Sequence, residues 1–589
     1  MFASIFGKAK EKKTPIKGIG TRFGNIFKYH RKGLIGSIVP LVVVISLFEK
    51  NNNIRKVQLM WFWMFWFFLI RPVNTPVTAF IPIFFLPMTG VLESGKVCAL
   101  YMNDNVQYLF LGGMILLFLN NSGVDRRLAL VIINAGNKKT QFSAQRLVYK
   151  CTIAAYLLSM FSNRLIVTAI ITEYAFQVLS NAESKFGPDM KKLRLVVCNA
   201  IQVAACIGSL GFVHASYTII ALRSILDECA GGGLYPDVFN YLQYSAFAIP
   251  VSLAMYVGTL VYHMVLVQQV MGKKPMTQAC TDFLSKQFSD RKSQIPKDLS
   301  RHEKFSIVFL VITFILLFTR WNQFFGGWAI MFKDKFSTDL LIIPRARDTV
   351  VAALMAILAH SLPYNFHFLK YFSATKKKDL PPAKPESTVL WFKFVDKNIN
   401  YSYFFVIGAG NCIMAAGIVT RLDDYYSSVH REMMTWHKWN FEIFVVVLVG
   451  IVFCNLMPAL ASCIMILPLL ICGGRLAEPP WPVRFHLAAL GLAMATNLSF
   501  SIPYNYTPAF FCHYVGKVPV MKMVKYSFMA LIICLIILWL ALCFYAPLLW
   551  QDIIVVGGGG GGGGGGVDGG GGPGNEPTQG PPPTDPPRI

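Results

Sequence analysis

The sequence predicts an all-α polytopic membrane protein, on three grounds: its composition, its apolar runs and the placement of its charges. Hydrophobic residues make up 54% of the 589 residues and charged residues only 14%, whereas soluble domains carry about 25% charged residues. The apolar residues form runs long enough to cross, or nearly cross, a bilayer core of about 30 Å. Basic segments stand between these runs, as in the cytoplasmic loops of membrane proteins.

The apolar runs define the expected helices in chain order, since lipid offers no hydrogen-bond partner to an open backbone. Some runs are too short to span and others are too long for one helix. We therefore expect about 11 transmembrane helices, within a range of ten to twelve crossings, together with re-entrant segments. The runs lie near residues 34–48, 57–71, 75–92, 106–119, 148–181, 195–222, 241–270, 305–319, 349–369, 402–420, 441–472, 485–512 and 526–550.

The charged residues predict the orientation of this transmembrane domain, which spans 34–550. Residues 1–33 contain nine Lys or Arg and one acid, so the N-terminus is expected in the cytosol. The protein itself is expected in the plasma membrane or an internal membrane. The basic segments 272–304 and 370–398 are expected on the same side. We expect all three to contact anionic lipid headgroups and not nucleic acid. The Gly- and Pro-rich tail, 556–589, is predicted to be disordered.

A weak internal repeat divides the transmembrane domain into halves of about 75–270 and 349–550. In the first half, Gly112 precedes a polar interruption at Asn163 by 51 residues; in the second, Gly408 precedes Asn455 by 47. Such repeats are common in secondary transporters, whose substrate sites lie at the repeat interface near the bilayer midplane.

Enzyme chemistry is not expected from this sequence. Outside its polyglycine tail it contains no GxSxG, HExxH, Walker A or GxGxxG motif, and no cluster of His, Asp or Glu lies within one apolar run. Its 13 cysteines include no CxxC pair, so packing is their expected role. Neither a cofactor nor a metal other than sodium is expected.

Arg164 lies in the middle of the apolar run 148–181, directly after Ser162 and Asn163. A charge at that depth costs about 2.5 kcal/mol or more unless it is paired or hydrated. Arg164 is therefore expected to face an anion. The alternatives are that it reaches the membrane interface or pairs with an acid such as Glu173.

Three further interruptions place polar or helix-breaking residues at membrane depth, where irregular backbone is tolerated only in a cavity or inside protein. The stretch 206–218 is rich in small residues, which equally indicate a tight helix–helix contact. The stretch 454–463 contains Asn455 and a proline. The stretch 497–508 contains prolines and asparagines that predict an unwound segment. The candidate substrate-binding residues are Ser162, Asn163, Arg164, Gly208, His214, Ser216, Asn455, Asn505, Thr507 and Pro508.

The order of these features resembles the divalent-anion:sodium symporters, which include the sodium-dependent dicarboxylate and citrate transporters and the insect I'm-not-dead-yet proteins. The resemblance covers about 34–550. It rests on PVTAFIPIFFLPMTGVLESGKV from Pro76, LFLGGMILLFLNNSGVDRRLAL from Leu109, FGGWAIMF from Phe325 with Arg347-Asp348-Thr349-Val350, and VPVMKMVKYSF from Val518.

The resemblance implies a dimerising scaffold domain and a transport domain that moves as an elevator. In the family, two re-entrant hairpins bearing Ser-Asn-Thr and two broken helices ending in Pro-Asn hold two sodium ions and the substrate carboxylates. Here Arg164 replaces the first Thr, and Thr218-Ile219 and Pro508-Ala509 stand at the two Pro-Asn positions. The second Ser-Asn motif matches either Cys454-Asn455 or Pro458-Ala459.

These departures lead to the functional hypothesis. We expect a homodimeric transporter of di- or tricarboxylates in which Arg164 supplies the charge that sodium otherwise brings, so that canonical two-sodium coupling is not expected. Exchange, proton coupling or facilitated diffusion would replace it. The alternative is a family member that has lost transport and acts as a receptor, regulator or scaffold of a membrane complex.

Overall fold

The computed structural model describes 19–135, 143–229, 238–272, 276–321, 327–329, 346–373, 375, 380, 387–426, 428, 439–475, 483–503 and 507–550. Its regular elements there are helices, and the described chain has no strand beyond one isolated bridge between Pro363 and Thr388. Most of the predicted basic N-terminus and the whole Gly/Pro tail lie outside the described residues.

Within the described residues, the first half of the chain contributes twelve α-helices. They are α1 Ile19–Leu47, α2 Asn53–Ile70, α3 Thr75–Thr78, α4 Ile81–Met88, α5 Ser94–Leu100, α6 Asp104–Ser122, α7 Val124–Asn134, α8 Ala144–Phe161, α9 Arg164–Phe186, α10 Pro188–Gly208, α11 Tyr217–Cys229 and α12 Tyr241–Met271.

The second half contributes the remaining helices, and a π-helical turn at Ala541–Tyr545 precedes the last. They are α13 Gln278–Ser293, α14 Arg301–Arg320, α15 Asp348–Ser361, α16 Lys370–Ser373, α17 Phe392–Asn398, α18 Ser402–Val419, α19 Trp439–Leu456, α20 Ala459–Arg475, α21 Val483–Thr496, α22 Pro508–Tyr514, α23 Val520–Leu540 and α24 Ala546–Leu549.

Six helical segments are long and apolar enough to cross a membrane, and five shorter apolar helices accompany them among the described residues. The long segments are Gly24–Leu47, Arg164–Phe186, Tyr241–Met271, Arg301–Arg320, Ser402–Val419 and Val520–Leu549. The predicted class, an all-α polytopic membrane protein, is therefore confirmed.

The same order of elements occurs twice. Helices α8 and α9 form a first hairpin, α10 and α11 form a first broken helix, and the long helix α12 follows. Helices α19 and α20 form a second hairpin, α21 and α22 form a second broken helix, and α23 follows. Helix α11 packs against α20 and α21, so the two repeats are interlocked.

Local chemistry explains both hairpin tips. Ser162 is extended (φ −138°, ψ 166°), and the Asn163 side chain then caps α9 by accepting a hydrogen bond from the Leu165 N–H at 3.0 Å. An Asn cap satisfies a donor that the first turn leaves free. At the second tip Pro458, which has no N–H and cannot continue α19, separates α19 from α20.

The two helix breaks lie where small residues or prolines interrupt the apolar runs. Helix α10 ends at Gly208, a 3₁₀ turn follows at Val213–Ala215, and α11 begins at Tyr217. Helix α21 ends at Thr496 and α22 begins at Pro508, a residue type that favours the first turn of a helix. The unwound segment predicted within 485–512 is thus observed.

One predicted span is not continuous. The run 75–92 is divided into α3 and α4 by a bend at Ala79 and Phe80, and Pro82 stands in the first turn of α4. Proline favours that position, because the first turn of a helix needs no hydrogen bond from its N–H. The hydrophilic segment 272–304 also contains a regular helix, α13.

Gly208 lies where α10 crosses α8. A Cβ added there would lie 2.2 Å from the carbonyl oxygen of Tyr156. We therefore expect Gly208→Ala to destabilise the protein by about 1–3 kcal/mol, because a packed backbone cannot move aside freely. The melting temperature in detergent measures this.

Gly95→Ala is the matched control, since a Cβ at Gly95 has nothing within 4 Å. Equal melting temperatures for both variants would contradict close packing at Gly208.

A buried ion triad joins three helices. Asp348, at the start of α15, accepts from Arg223 of α11 at 2.7 Å and pairs with Arg320 of α14 at 2.5 Å. Arg320 is 0% exposed and Asp348 1%. The triad holds the first broken helix against α14 and α15.

Candidate functional site

Arg164 is the first residue of α9, at the tip of the first hairpin. Its Nη1 donates to Oδ1 of Asn497 at 2.6 Å and to Oγ of Ser209 at 3.1 Å. Ser209 lies in the first helix break and Asn497 in the second. One guanidinium therefore ties the first hairpin to both broken helices.

The charge of Arg164 has no carboxylate partner among the described residues. Its side chain is buried (4% exposed), its Nε–H has no hydrogen-bond acceptor, and its guanidinium lies 5.5 Å from the Tyr217 ring centroid. Glu173, the acid considered from the sequence, accepts instead from Gln177 at 2.9 Å. A buried cation in this setting favours the binding of an anion.

A cavity, here called the central cleft, opens beside Arg164. Both hairpins, both broken helices, α3 and α18 supply its walls. Its lining residues are Thr75, Arg164, Tyr217, Thr218, Ser402, Tyr403, Val406, Pro458, Ala459, Leu460, Ala461 and Thr507.

The lining of the central cleft is chemically suited to an anion. Besides Arg164 it offers hydroxyl groups from Thr75, Ser402 and Thr507, and it includes no carboxylate. The enclosed volume is about 20 Å³, enough for a single water. The walls must therefore separate before a small organic molecule can enter.

The amide of Asn455 is fully engaged at the second hairpin. Its Oδ1 accepts from the Ser501 N–H at 3.0 Å, and its Nδ2 donates to the carbonyl oxygens of Ile451 at 2.8 Å and Leu498 at 3.4 Å. Asn455 thus fastens the second hairpin to the second helix break.

Asn497 links the second helix break to the first. Its Nδ2 donates to Oγ of Ser209 at 3.0 Å and to the carbonyl oxygen of Cys206 at 3.3 Å, while its Oδ1 accepts from Arg164. Asn497 itself is 0% exposed. The two broken helices are therefore cross-linked at the level of the hairpin tips.

Of the sequence-predicted residues, Arg164 and Thr507 line the central cleft. Pro508 begins the helix directly after Thr507. Ser216 lies 3.3 Å, hydroxyl to hydroxyl, from the cleft residue Thr218. Asn505 lies outside the described residues.

The other predicted residues serve the structure around the cleft. Ser162 and Asn163 form the hairpin tip, where the Ser162 hydroxyl donates to the Leu116 carbonyl oxygen at 3.5 Å. Gly208 lies at a helix crossing. His214 lies 2.7 Å from the Tyr241 hydroxyl and between aromatic rings, away from the cleft lining.

Several residues that line the cleft or contact Arg164 were not among the sequence candidates. The cleft residue Thr218 and the Arg164 partner Asn497 stood inside the flagged interruptions, so their polarity at membrane depth could have identified them. Thr75, Ser402 and Tyr403 carried no such signal, because they are ordinary residues near helix starts that reach the cleft only through the tertiary fold.

Comparison with known proteins shows the family. A family model described as the sodium:sulfate symporter transmembrane region matches residues 23–551. "Protein I'm not dead yet" of Drosophila melanogaster is 23% identical over 420 residues, which cover 66% of this chain and 68% of that protein. The sodium-dependent dicarboxylate transporter SdcS of Staphylococcus saprophyticus is 23% identical over 538 residues, 88% and 92% of the two chains.

Among solved structures, MtrF of Neisseria gonorrhoeae matches with a TM-score of 0.46 and 10% identity, covering 77% of this chain and 83% of that one. The YdaH transporter of Alcanivorax borkumensis matches with a TM-score of 0.43 and 11% identity, covering 81% and 88%. The family match extends over most of the chain, while identities near 23% mark it as divergent. The chain is thus a multi-pass membrane protein that belongs to the sodium:sulfate symporter family, whose members are secondary transporters and not enzymes.

Proposed function

We propose that the protein transports small organic anions, specifically di- or tricarboxylates, through the central cleft without canonical two-sodium coupling. The observation that carries this proposal is the buried guanidinium of Arg164, which has no carboxylate partner among the described residues and faces a cleft lined by hydroxyl groups.

A carboxylate is the anion that this chemistry fits best. Guanidinium binds carboxylates through two parallel N–H···O bonds, and hydroxyl donors can satisfy the remaining oxygens. The relatives SdcS of S. saprophyticus and transporter 3 of Caenorhabditis elegans are both named as sodium-dependent dicarboxylate transporters. Their names support the substrate class.

Sodium coupling is disfavoured by what occupies the hairpin tips. A cation about 5 Å from Arg164 would be repelled by about 3 kcal/mol at an effective dielectric constant of about 20. The amide oxygens of Asn455 and Asn497, which could otherwise serve as sodium ligands, already accept from Ser501 and Arg164. In our proposal Arg164 is a permanent replacement for one bound cation.

We further propose how the anion enters. The hairpins and broken helices form one wall of the central cleft, and α3 and α18 form the other. Movement of the first group past the second, as an elevator within a homodimer, would open the cleft to each side in turn. In this proposal the N-terminus lies in the cytosol, which its basic residues favour. The driving force for transport is then exchange against another anion, coupling to protons or the gradient of the anion itself.

The test is thermal stabilisation of the detergent-purified protein by mono-, di- and tricarboxylates, sulfate and urate, each with sodium and with a sodium-free salt. A ligand of the folded state at 100 times its Kd adds about 2.7 kcal/mol. We expect a shift with a di- or tricarboxylate that is equal in both salts and lost in Arg164→Ala.

Arg194→Ala is the matched control, because Arg194 is similarly buried but pairs with Glu183 at 3.2 Å. It should lower the basal melting temperature and leave the ligand-induced shift intact. A shift that requires sodium would refute sodium independence. Absence of any shift would favour the receptor or scaffold alternative, and uptake of labelled succinate or citrate would then decide whether transport is lost.

A further inference from the structure

A second cavity, here called the arginine cleft, lies far from the hairpin tips. It has a volume of about 400 Å³, and its lining includes Arg126, Arg127, Tyr174, Arg291 and Glu303. These residues come from α7, α9, α13 and α14. A cavity of this size can hold a small ligand.

One of the three arginines, Arg127, has its charge paired and its donors bound within the protein. Arg127 forms two hydrogen bonds with Glu303, at 2.7 and 3.0 Å, and donates to the carbonyl oxygens of Pro296 at 2.5 Å and Asp298 at 3.2 Å. Arg127 therefore fixes the loop between α13 and α14 as one wall of the cleft. The Glu303 carboxylate neutralises its charge.

The other two arginines leave an excess positive charge. Within the described part of the chain, neither Arg126 nor Arg291 has a carboxylate within ion-pair distance, and the Arg291 guanidinium lies 5.9 Å from the Tyr174 ring centroid. The cleft lining thus carries two guanidinium groups that form no ion pair in the described part of the chain, beside one phenol; Asp125, whose carboxylate interacts with Arg126 at longer range, is not among the lining residues. That set of donors suits a doubly charged oxyanion.

The position of the arginine cleft along the membrane follows from helix geometry. Tyr174 lies ten residues beyond Arg164 at the hairpin tip, which is about 15 Å along a helix and about half the thickness of a bilayer core. The long helix α6 ends at Ser122 and α14 begins at Arg301, both beside the cleft. With the hairpin tip near the bilayer midplane, where transporter substrate sites lie, we infer that the cleft lies at a membrane boundary, and its positive charge favours the cytosolic one.

We propose that the arginine cleft binds a phosphate monoester, the group that combines two negative charges with several acceptor oxygens. The location at the membrane boundary fits a phospholipid headgroup, and a soluble phosphate offers the same chemistry. Arg126 and Arg291 bind the phosphate oxygens. This site is separate from the central cleft and does not depend on the proposed transport function.

The experiment is native mass spectrometry of the full-length protein in detergent, titrated with phosphatidic acid and, separately, with phosphatidylcholine as the lipid without a phosphate monoester. We expect selective binding of phosphatidic acid, weakened about 25-fold in the double variant Arg126→Gln, Arg291→Gln, since each basic residue near a charged headgroup contributes about fivefold. Addition of inorganic phosphate distinguishes the source: displacement of the lipid indicates a soluble phosphate, and retention indicates a lipid headgroup.

The matched control is Lys286→Gln with Lys292→Gln, which removes the same charge from exposed positions of α13 outside the cleft lining. It should change the affinity less than twofold. Equal loss of affinity in both double variants, equal binding of both lipids, or no loss in the arginine variant would overturn the proposal.

Discussion

Replacing Asp348 by alanine is expected to destabilise the protein by about 3–5 kcal/mol. The change would remove the carboxylate that accepts from Arg223 and pairs with Arg320, two arginines that are themselves buried. Removal of one partner from a buried ion pair carries a cost of this size because the remaining charge stays desolvated. The melting temperature and the yield of monodisperse protein measure the effect.

Two further substitutions isolate the contribution of charge. Asp348→Asn keeps the shape and should cost less than Asp348→Ala, because the amide oxygen can still accept from one arginine. Glu49→Ala removes the partner of Arg55 from an ion pair whose two side chains are 50% and 49% exposed; such pairs contribute about 0–1 kcal/mol. A loss below about 1 kcal/mol for Asp348→Ala would show that the triad is not a structural charge network.

This triad also marks what the sequence could not predict. Arg223 and Asp348 are 125 residues apart. The hydrophobic pattern around either residue contains no information about the other. The sequence marked Asp348 as part of the family resemblance and as an isolated acid, but not as the partner of two buried arginines. Pairing across such a separation is set by how the helices pack, which a local pattern does not contain.

The features that were predictable from the sequence are those with a local cause. The breaks around Ser162-Asn163 and in the stretch 497–508 follow from turn-forming residues and prolines inside apolar runs, and the structure contains both. Pro82 is a local signal for the division of the run 75–92 into α3 and α4. The continuous hydrophobic run nevertheless favoured a single span in the sequence analysis.

In the candidate site, too, the sequence predicted the features with a local cause and not those set by tertiary packing. The position of Arg164 within an apolar run indicated a buried charge, and that charge is buried. Its hydrogen-bond partner Asn497, 333 residues away, could be recognised as polar at membrane depth but not as the residue that receives the guanidinium. The side of the cleft formed by Thr75 and Ser402 had no sequence signal.

The substitution Asn497→Asp separates a ligand-binding role of Arg164 from a structural one. The Arg164 guanidinium donates to Oδ1 of Asn497 at 2.6 Å, so an aspartate there would place a permanent carboxylate on the group that is proposed to hold the substrate. We expect anion affinity to fall about 10- to 100-fold, because charge-assisted hydrogen bonds contribute roughly 1.5–3 kcal/mol. The basal melting temperature should stay equal or rise, because the ion pair gained by the buried cation outweighs the two hydrogen bonds, to Ser209 and to the Cys206 carbonyl oxygen, that an aspartate cannot donate.

The matched control is Asn199→Asp, the same change at another 0% exposed asparagine. Asn199 contacts Gln202, His263 and Ser527 and has no hydrogen bond to Arg164 among the described contacts. It should lower stability and leave the anion-induced shift unchanged. If Asn497→Asp stabilises the protein while carboxylates still raise its melting temperature by the wild-type amount, the guanidinium is a structural tie between hairpin and helix breaks, and the anion binds elsewhere. Stabilisation with loss of the ligand shift is the combination that only an anion-binding arginine produces, because a purely structural arginine has no ligand for the new carboxylate to displace.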